Sequence, residues 1–369
     1  MSTRLIVIGP LPPPYHGVTV STGLVLANPL LKQPFSVEHL DTSDHRSAAN
    51  TGQWELRNVW LALRSFACLV VRLRGDRGVV YLPLSQNRAG LLRDCLFILL
   101  AAVRGWQVAT HLRGGEFNEV YEREPPLMRW LIGTSLARVH SVAVLGSSLR
   151  PLFDRLLPPE RVVVVPNGTP DIQLGETKRD PKTGLFLSNL RRRKGVVEAL
   201  EAALLVLDED PEARFVFLGA WESPELESAL RQRAERHGEE IRFLPTATGE
   251  THAAALASAG FFLFTPREPE GHPRVVLEAL AAGLPVITTD RGAIAETVVH
   301  GESGFVLNDP VPAEIAQHAL RLIRDPDLRE RMGHAARARY LKRYTQPTAD
   351  AGLANWLERV AADVERRSV

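Results

Sequence analysis

Two glutamates with seven residues between them, Glu270 and Glu278, lie in EPEGHPRVVLEALAAGLPVITTD, residues 268–290. Pro273 suits the first turn of a helix, because its fixed φ and missing N–H fit that position, and Gly283 with Pro285 ends the helix before a strand. The loop Glu270–Gly271–His272 then stands at a helix N-terminus, where free amide donors and the positive end of the dipole attract phosphate or sugar oxygens. Glu278 falls among Val275, Val276, Leu277, Ala279, Leu280 and Ala281, surroundings in which an unpaired carboxylate is costly. It needs a partner. A ribose diol is a natural one, since a carboxylate can accept both hydroxyl protons; the alternative for a helical glutamate is to face solvent.

A second site of chemistry is LFLSNLRRRKGVVEAL, residues 185–200: a strand, a basic loop and a helix. Arginine outnumbers lysine 39 to 5 along the chain, so Lys194, followed by Gly195, stands out. A compact ammonium beside a helix N-terminus can neutralise charge growing on a departing diphosphate; a solvated basic loop is the competing explanation. GPLPPPYHGV follows the first strand, a stiff proline loop ending at Gly17, where glycine permits close backbone approach and a plain structural turn is the alternative. It is not GxGxxG, so a hydride-transferring dinucleotide enzyme loses its main support. His111 ends a strand in VATHLRGGEF, with Arg113 and Glu116 just beyond. Asp208–Glu209–Asp210 precedes Pro211 as a solvated turn would, and neither Cys68 nor Cys95 has metal-ligand or disulfide spacing. No metal or cofactor is expected, and no Ser-His-Asp or Cys-His arrangement is legible.

Glu, seven residues and Glu inside EGHPRVVLEALAAGLPVI, continued by DRGAIAETVVHGESGFVL, resembles the signature of the large retaining family 4 of glycosyltransferases, which has the GT-B fold. The resemblance covers most of the second half of the chain. It implies that Glu270 contacts hydroxyls of a nucleotide-bound donor sugar, that Glu278 binds the ribose, and that Lys194 sits on the diphosphate. Gly271, His272 and Pro273 complete the donor loop, and Gly17 marks the family's first loop, facing the diphosphate and acceptor. Asn189 stands where the family usually has an arginine beside the lysine, and Arg191, Arg192 or Arg193 could replace it. His111 matches a histidine near the donor sugar; Arg113, where a second histidine is common, and Glu116 are acceptor-side candidates. The implied activity is retaining transfer of a sugar to a hydroxyl of a saccharide or lipid-linked acceptor, in polysaccharide or glycoconjugate synthesis. A nucleotide-sugar epimerase on the same fold and a non-catalytic nucleotide-binding partner subunit are the competing functions.

The elements that must hold these residues follow from pattern. Short β-rich runs alternate with helical-period segments almost from end to end, the pattern of an α/β fold with parallel sheets covered on both faces. Six strands precede PNGTPDIQLGETKRDPKTG, residues 166–184, whose Pro, Gly, Thr and charge mark a linker, and six follow it. With 369 residues, two doubly wound domains are expected, residues 1–175 and 176–346, with a boundary near Gly175 and a cleft between them at the carboxyl ends of their strands. Consecutive helices at Pro326–Tyr344 and Pro347–Arg367 end the chain, the last crossing back onto the first domain.

A net charge of +1 argues against wholesale nucleic-acid binding. LLRDCLFILLAAVRGW is broken by Arg93, Asp94 and Arg104 and is expected as a buried helix, not a membrane span. WLALRSFACLVVRLRG, with Arg64, Arg72 and Arg74, suits a helix with a buried face, or an amphipathic one touching anionic lipid. The apolar run before Gly9 is too short for a signal-peptide core, so a cytoplasmic protein with at most peripheral contact to the inner face of the membrane is expected.

Overall fold

The structure, a computed structural model, describes residues 2–13, 17–43, 56–172 and 178–366. It divides into two compact units, residues 1–166 with 347–369, and residues 167–346. The boundary expected near Gly175 lies outside the described residues. The units part at Pro166–Asn167 because the segment after Asn167 is already tied to the second unit. The Thr169 N–H donates to the Tyr344 carbonyl (3.0 Å), and the Gln346 N–H donates to the Thr169 carbonyl (2.9 Å).

The first unit contains β1 (Thr3–Gly9), α1 (Gly17–Ala27), β2 (Phe35–Asp41), α2 (Leu56–Arg72), β3 (Gly78–Leu84), α3 (Arg88–Val103), β4 (Gln107–Leu112), α4 (Phe117–Arg123), α5 (Pro126–Leu136), β5 (Ser141–Val144) and β6 (Val162–Val164). Its sheet is parallel in the order β2-β1-β3-β4-β5-β6. Strands covered on both faces need apolar residues at consecutive positions, which is why LIVI and VVYL carry no polar alternation. Ile6 and Ile8 pack with α2, α3 and α5 residues such as Leu69, Ile98 and Ile132. Leu5 and Val7 pack on the opposite side with Val25 of α1 and with Leu353, Trp356 and Leu357.

Those last three residues belong to α13 (Gln346–Arg366), which crosses back onto the first unit. Trp356 is its anchor. It is 1% exposed, its indole N–H donates to Ser141 Oγ at 2.7 Å, and it meets Tyr81 and His111 edge-on at 6.1 and 5.7 Å between ring centroids. The helix expected over LLRDCLFILLAAVRGW is α3, buried along one face and open on the other, where Leu96 and Val103 are exposed. α2 likewise buries Leu69 and exposes Trp60, Leu63 and Val71, with the Arg64 guanidinium 5.6 Å from the centre of the Trp60 ring. Among the described residues no helix is long and apolar enough to cross a membrane.

The second unit contains β7 (Thr183–Leu187), α6 (Val196–Glu209), β8 (Arg214–Leu218), α7 (Pro224–Ala234), β9 (Ile241–Leu244), α8 (Gly249–Ser258), β10 (Phe261–Phe264), α9 (Arg274–Ala281), β11 (Val286–Thr289), α10 (Ile294–Thr297), β12 (Gly304–Leu307), α11 (Pro312–Arg324) and α12 (Pro326–Arg343). Its sheet is again parallel, in the order β12-β11-β10-β7-β8-β9. Phe186 and Leu263 turn toward α6 and α11, while Leu185, Leu187 and Phe262 turn toward α8 and α9. Connections run outward from β7 through β8 to β9, then restart at β10 on its other side. β7 and β10 are therefore neighbours at the point where strand order reverses, where open α/β sheets take ligands at their carboxyl ends.

The anchoring role of Trp356 has a measurable consequence. Trp356→Ala is expected to cost the first unit about 3–5 kcal/mol, the usual range for deleting a buried tryptophan. Denaturant unfolding should show an earlier transition for that unit with the second unit's transition unmoved.

Candidate functional site

At that switch point of the second unit, the loops after β7 and β10 meet. β7 runs into Asn189 and the basic loop, a short 3₁₀ turn over Arg192–Lys194 follows, and Gly195 then opens α6 with φ +81°. A Cβ on Gly195 would lie 1.8 Å from the Thr265 carbonyl oxygen, so only glycine lets the loop lie this close to the end of β10. The loops are also joined by the Arg267 N–H, which donates to the Arg193 carbonyl at 3.0 Å. On the other side of β10, a Cβ on Gly292, at φ +60°, would lie 1.8 Å from the Glu270 carbonyl oxygen, and the Ala293 N–H donates to the Gly271 carbonyl at 2.9 Å.

This close fit brings together two residues 76 positions apart. Lys194 Nζ donates to Glu270 Oε1 at 2.5 Å, and the ammonium lies 5.7 Å from the centre of the Phe264 ring. The side chains are 22% and 10% exposed, so the pair is shielded but open on one side. An opposed ammonium and carboxylate beside a helix start could exchange each other for an anionic leaving group and for hydroxyl donors.

Glu278 lies about one turn into α9. Its Oε2 is 3.0 Å from Nε2 of His252 on α8, a histidine that carries no motif in the sequence. The partner that the apolar surroundings of Glu278 demanded is, within the chain, this imidazole. The hydrogen bond with Glu278 raises the His252 pKa above its ordinary value, against a lowering by burial.

Other expected residues sort differently. Asn189 is exposed at the end of β7. Among the arginines considered as replacements, Arg193 has its Nε 3.3 Å from Glu268 Oε2, and the Arg192 backbone N–H donates to Glu222; Arg191 is exposed. Pro273 is not inside the first turn but caps it, with φ −63° and ψ 122°, and α9 begins at Arg274. The His272 ring, expected in the donor loop, is buried. Nδ1 accepts from the Asn167 backbone N–H (3.1 Å) and the Asn167 side-chain amide donates to the His272 carbonyl (2.8 Å). Burial first, then the Arg274 charge, push its pKa down to about 3. The opposing pull of the Glu296 carboxylate is smaller than either, so a neutral imidazole fills this position.

In the first unit, His111, expected near the donor sugar, is buried at the end of β4. The ring is 1% exposed, enclosed by Tyr81 and Trp356, because β4 is covered by α13. What emerges beyond it is Arg113, whose Nη2 donates to Tyr81 Oη at 2.8 Å while the same oxygen lies 3.3 Å from His111 Nδ1. Glu116 sits at the start of α4, its N–H donating to Gln86. Gly17 begins α1 with no atom of the described residues, beyond its chain neighbours and its own helix backbone, within 4 Å of where a Cβ would be; the preceding Tyr15 and His16 lie outside the described residues. Two acidic residues of the Asp208–Glu209–Asp210 turn are paired separately, Asp210 with Lys182 and Glu209 with Arg324. Among the described residues no group of three His, Cys, Asp or Glu could hold a metal ion, and both cysteines are free.

Two outcomes test this geometry. Gly195→Ala combines left-handed strain with the Thr265 clash, so it should destabilise the second unit by more than the 1–2 kcal/mol of a left-handed alanine alone, read as a shifted denaturant midpoint. Because His272 is depressed to about 3 when folded, its contribution is complete above the unfolded value of about 6.5 and fades as pH falls from there toward 3. Unfolding midpoints followed from pH 8 to pH 4 should fall less steeply for His272→Gln than for the unaltered chain.

Residues 171–339 match the family described as "Glycosyl transferases group 1". The N-acetyl-alpha-D-glucosaminyl L-malate synthase of Bacillus anthracis is 30% identical over 153 residues, 42% of this chain and 39% of that protein. The phosphatidyl-myo-inositol mannosyltransferase of Mycobacterium leprae is 32% identical over 173 residues, 47% of this chain and 45% of that protein. The matches thus span less than half the length of these curated relatives. Among solved structures, Anabaena HepE in complex with UDP-glucose superposes with a TM-score of 0.73 at 18% identity, over 97% of this chain and 100% of that one, a likeness of fold. Together with two parallel six-stranded sheets it identifies the α/β, two-domain GT-B fold. The matched residues make up nearly all of the second unit, and it is there that the chain is similar to the glycosyl transferases group 1 family.

Proposed function

We propose that the protein is a retaining glycosyltransferase that moves a sugar from a nucleotide-sugar donor to a hydroxyl of a saccharide or lipid-linked acceptor. The observation that carries this reading is the Lys194–Glu270 pair at the β7–β10 switch point, with Glu278 on the helix that follows. HepE has been solved with UDP-glucose, and the two curated relatives carry the names of a glucosaminyl-transferring synthase and a mannosyltransferase; a nucleotide-sugar donor is the reading consistent with all three.

In this mechanism the donor diphosphate takes Lys194 from Glu270. The ammonium then neutralises charge that grows on the phosphate as its bond to the anomeric carbon breaks. Glu270, released, accepts hydrogen bonds from the sugar hydroxyls, while Glu278 accepts from the ribose hydroxyls. Gly271, the His272 backbone and Pro273 line the loop at the start of α9, where the helix dipole favours anionic oxygens. The acceptor hydroxyl attacks from the face the nucleotide leaves, and its proton passes to the departing phosphate. That route requires charge stabilisation and positioning but no protein nucleophile and no metal ion. Arg113 and Glu116 are the acceptor-side residues in this scheme. In this reading Arg193, paired with Glu268 at 3.3 Å, takes the role on the diphosphate that the family assigns to arginine at the position of Asn189.

Lys194→Ala is expected to lower transfer by a factor on the order of 10² or more, the scale of removing one electrostatic stabiliser. Mass analysis of products from a panel of nucleotide sugars supplies the assay. Unaltered turnover by a folded Lys194→Ala chain overturns the mechanism, and an epimerised donor in place of a glycosylated product overturns the assignment as a transferase.

A further inference from the structure

His252 occupies a position that no step of the proposed transfer uses. It belongs to α8, separated in sequence from the Glu270 loop by β10, yet one ring nitrogen meets Glu278 Oε2 at 3.0 Å. A single imidazole therefore ties α8 to the carboxylate of α9. The side chains of His252 and Glu278 are 24% and 20% exposed, which keeps the pair partly shielded while leaving the carboxylate accessible to a ligand.

We propose that His252 is a positioning residue for ribose recognition: by holding Oε2 of Glu278 it fixes the carboxylate in the orientation that a nucleoside diphosphate's 2′ and 3′ hydroxyls require. This rests on the assignment of Glu278 to the ribose. A carboxylate has about four lone-pair sites, so one bond from His252 leaves enough for both hydroxyls. A glutamate whose rotamer is set before binding loses less freedom when the ligand arrives. Charge works in the same direction. An imidazolium offsets the negative charge of Glu278 next to an incoming polyanion, which the neutral ring does not.

The groups that act on this ring are few. Glu278 faces it from α9 and is the one charged group found to act on it among the described residues; Glu250, on its own helix, is exposed, and β7, packed against α8, contributes no charged side chain. The pair holds the ring's titration above that of a free histidine, so ribose recognition is strongest at and below neutral pH and declines as the ring deprotonates.

The test is calorimetric titration of the full chain with UDP, GDP and ADP, followed by the tightest binder against its 2′,3′-dideoxy analogue and against inorganic pyrophosphate. His252→Ala should weaken the ribonucleotide about tenfold, the equivalent of roughly 1.4 kcal/mol, while the dideoxy analogue and pyrophosphate change by less than twofold. The unaltered chain should lose ribonucleotide affinity between pH 6 and pH 9, and His252→Gln, which keeps a donor without the charge, should bind with intermediate strength and no such slope. In turnover the change should appear in the donor KM with kcat preserved. Equal losses for ribonucleotide and dideoxy analogue, or no loss in either variant, overturn the proposal even though the nucleotide binds. Failure of the unaltered chain to bind any of the three nucleotides instead overturns the donor site itself, and the role of His252 with it.

Discussion

The approach of Gly195 to the carbonyl of Thr265 governs the geometry of the second unit. Parallel pairing of β7 with β10 sets their carboxyl ends side by side, but two neighbouring strand ends do not by themselves bring a lysine and a glutamate within bonding distance. The loop after β7 must turn over the end of β10 without a side chain intervening. A glycine at φ +81°, where any Cβ would overlap backbone, makes that possible, and the Arg267–Arg193 backbone bond fastens the result. Gly292 repeats the arrangement from β11. The Glu270 loop is thus confined from both sides, and its carboxylate has little choice of position.

Charge in this region is arranged in local pairs. Lys194 with Glu270, His252 with Glu278, Arg267 with Glu198 and Arg193 with Glu268 each set a cation against a carboxylate. The members that are mostly buried, Glu270 and Glu198 at 10% exposed each, would be costly to leave unpaired, and pairing maintains the loops in shape before a ligand arrives. The same pairing means that a polyanionic ligand enters by exchange: it takes a cation that a carboxylate had held, and the carboxylate becomes available to hydroxyl groups. The first unit differs around Trp356, where apolar burial dominates and a polar string, Arg113–Tyr81–His111, begins in the core and ends at an arginine beyond β4.

The histidines show how much context decides. His272 is neutral because it is buried beside Arg274 and accepts a backbone N–H. His252 is pushed the other way by a carboxylate. His111 is shut into an aromatic cluster. All three come from segments that look polar or functional in sequence, and none could be assigned its state without its neighbours.

The amino-acid sequence by itself determined the twelve strands and the α/β class, since runs such as LIVI, VVYL and FFLF are apolar at every position only when both faces are covered. It also determined the helix boundaries at Gly283, Pro285 and Pro347, because glycine and proline act through local backbone geometry. Spacing and family resemblance singled out Lys194, Glu270 and Glu278 as residues for chemistry. What only the tertiary structure decided is which groups touch: the pairing of Lys194 with Glu270 across 76 residues, of Glu278 with His252 across 26, and the withdrawal of His272 and His111 from the surface. Those outcomes depend on strand order and on which helix covers which strand, and no local pattern of residue types encodes a neighbour brought in from another part of the chain.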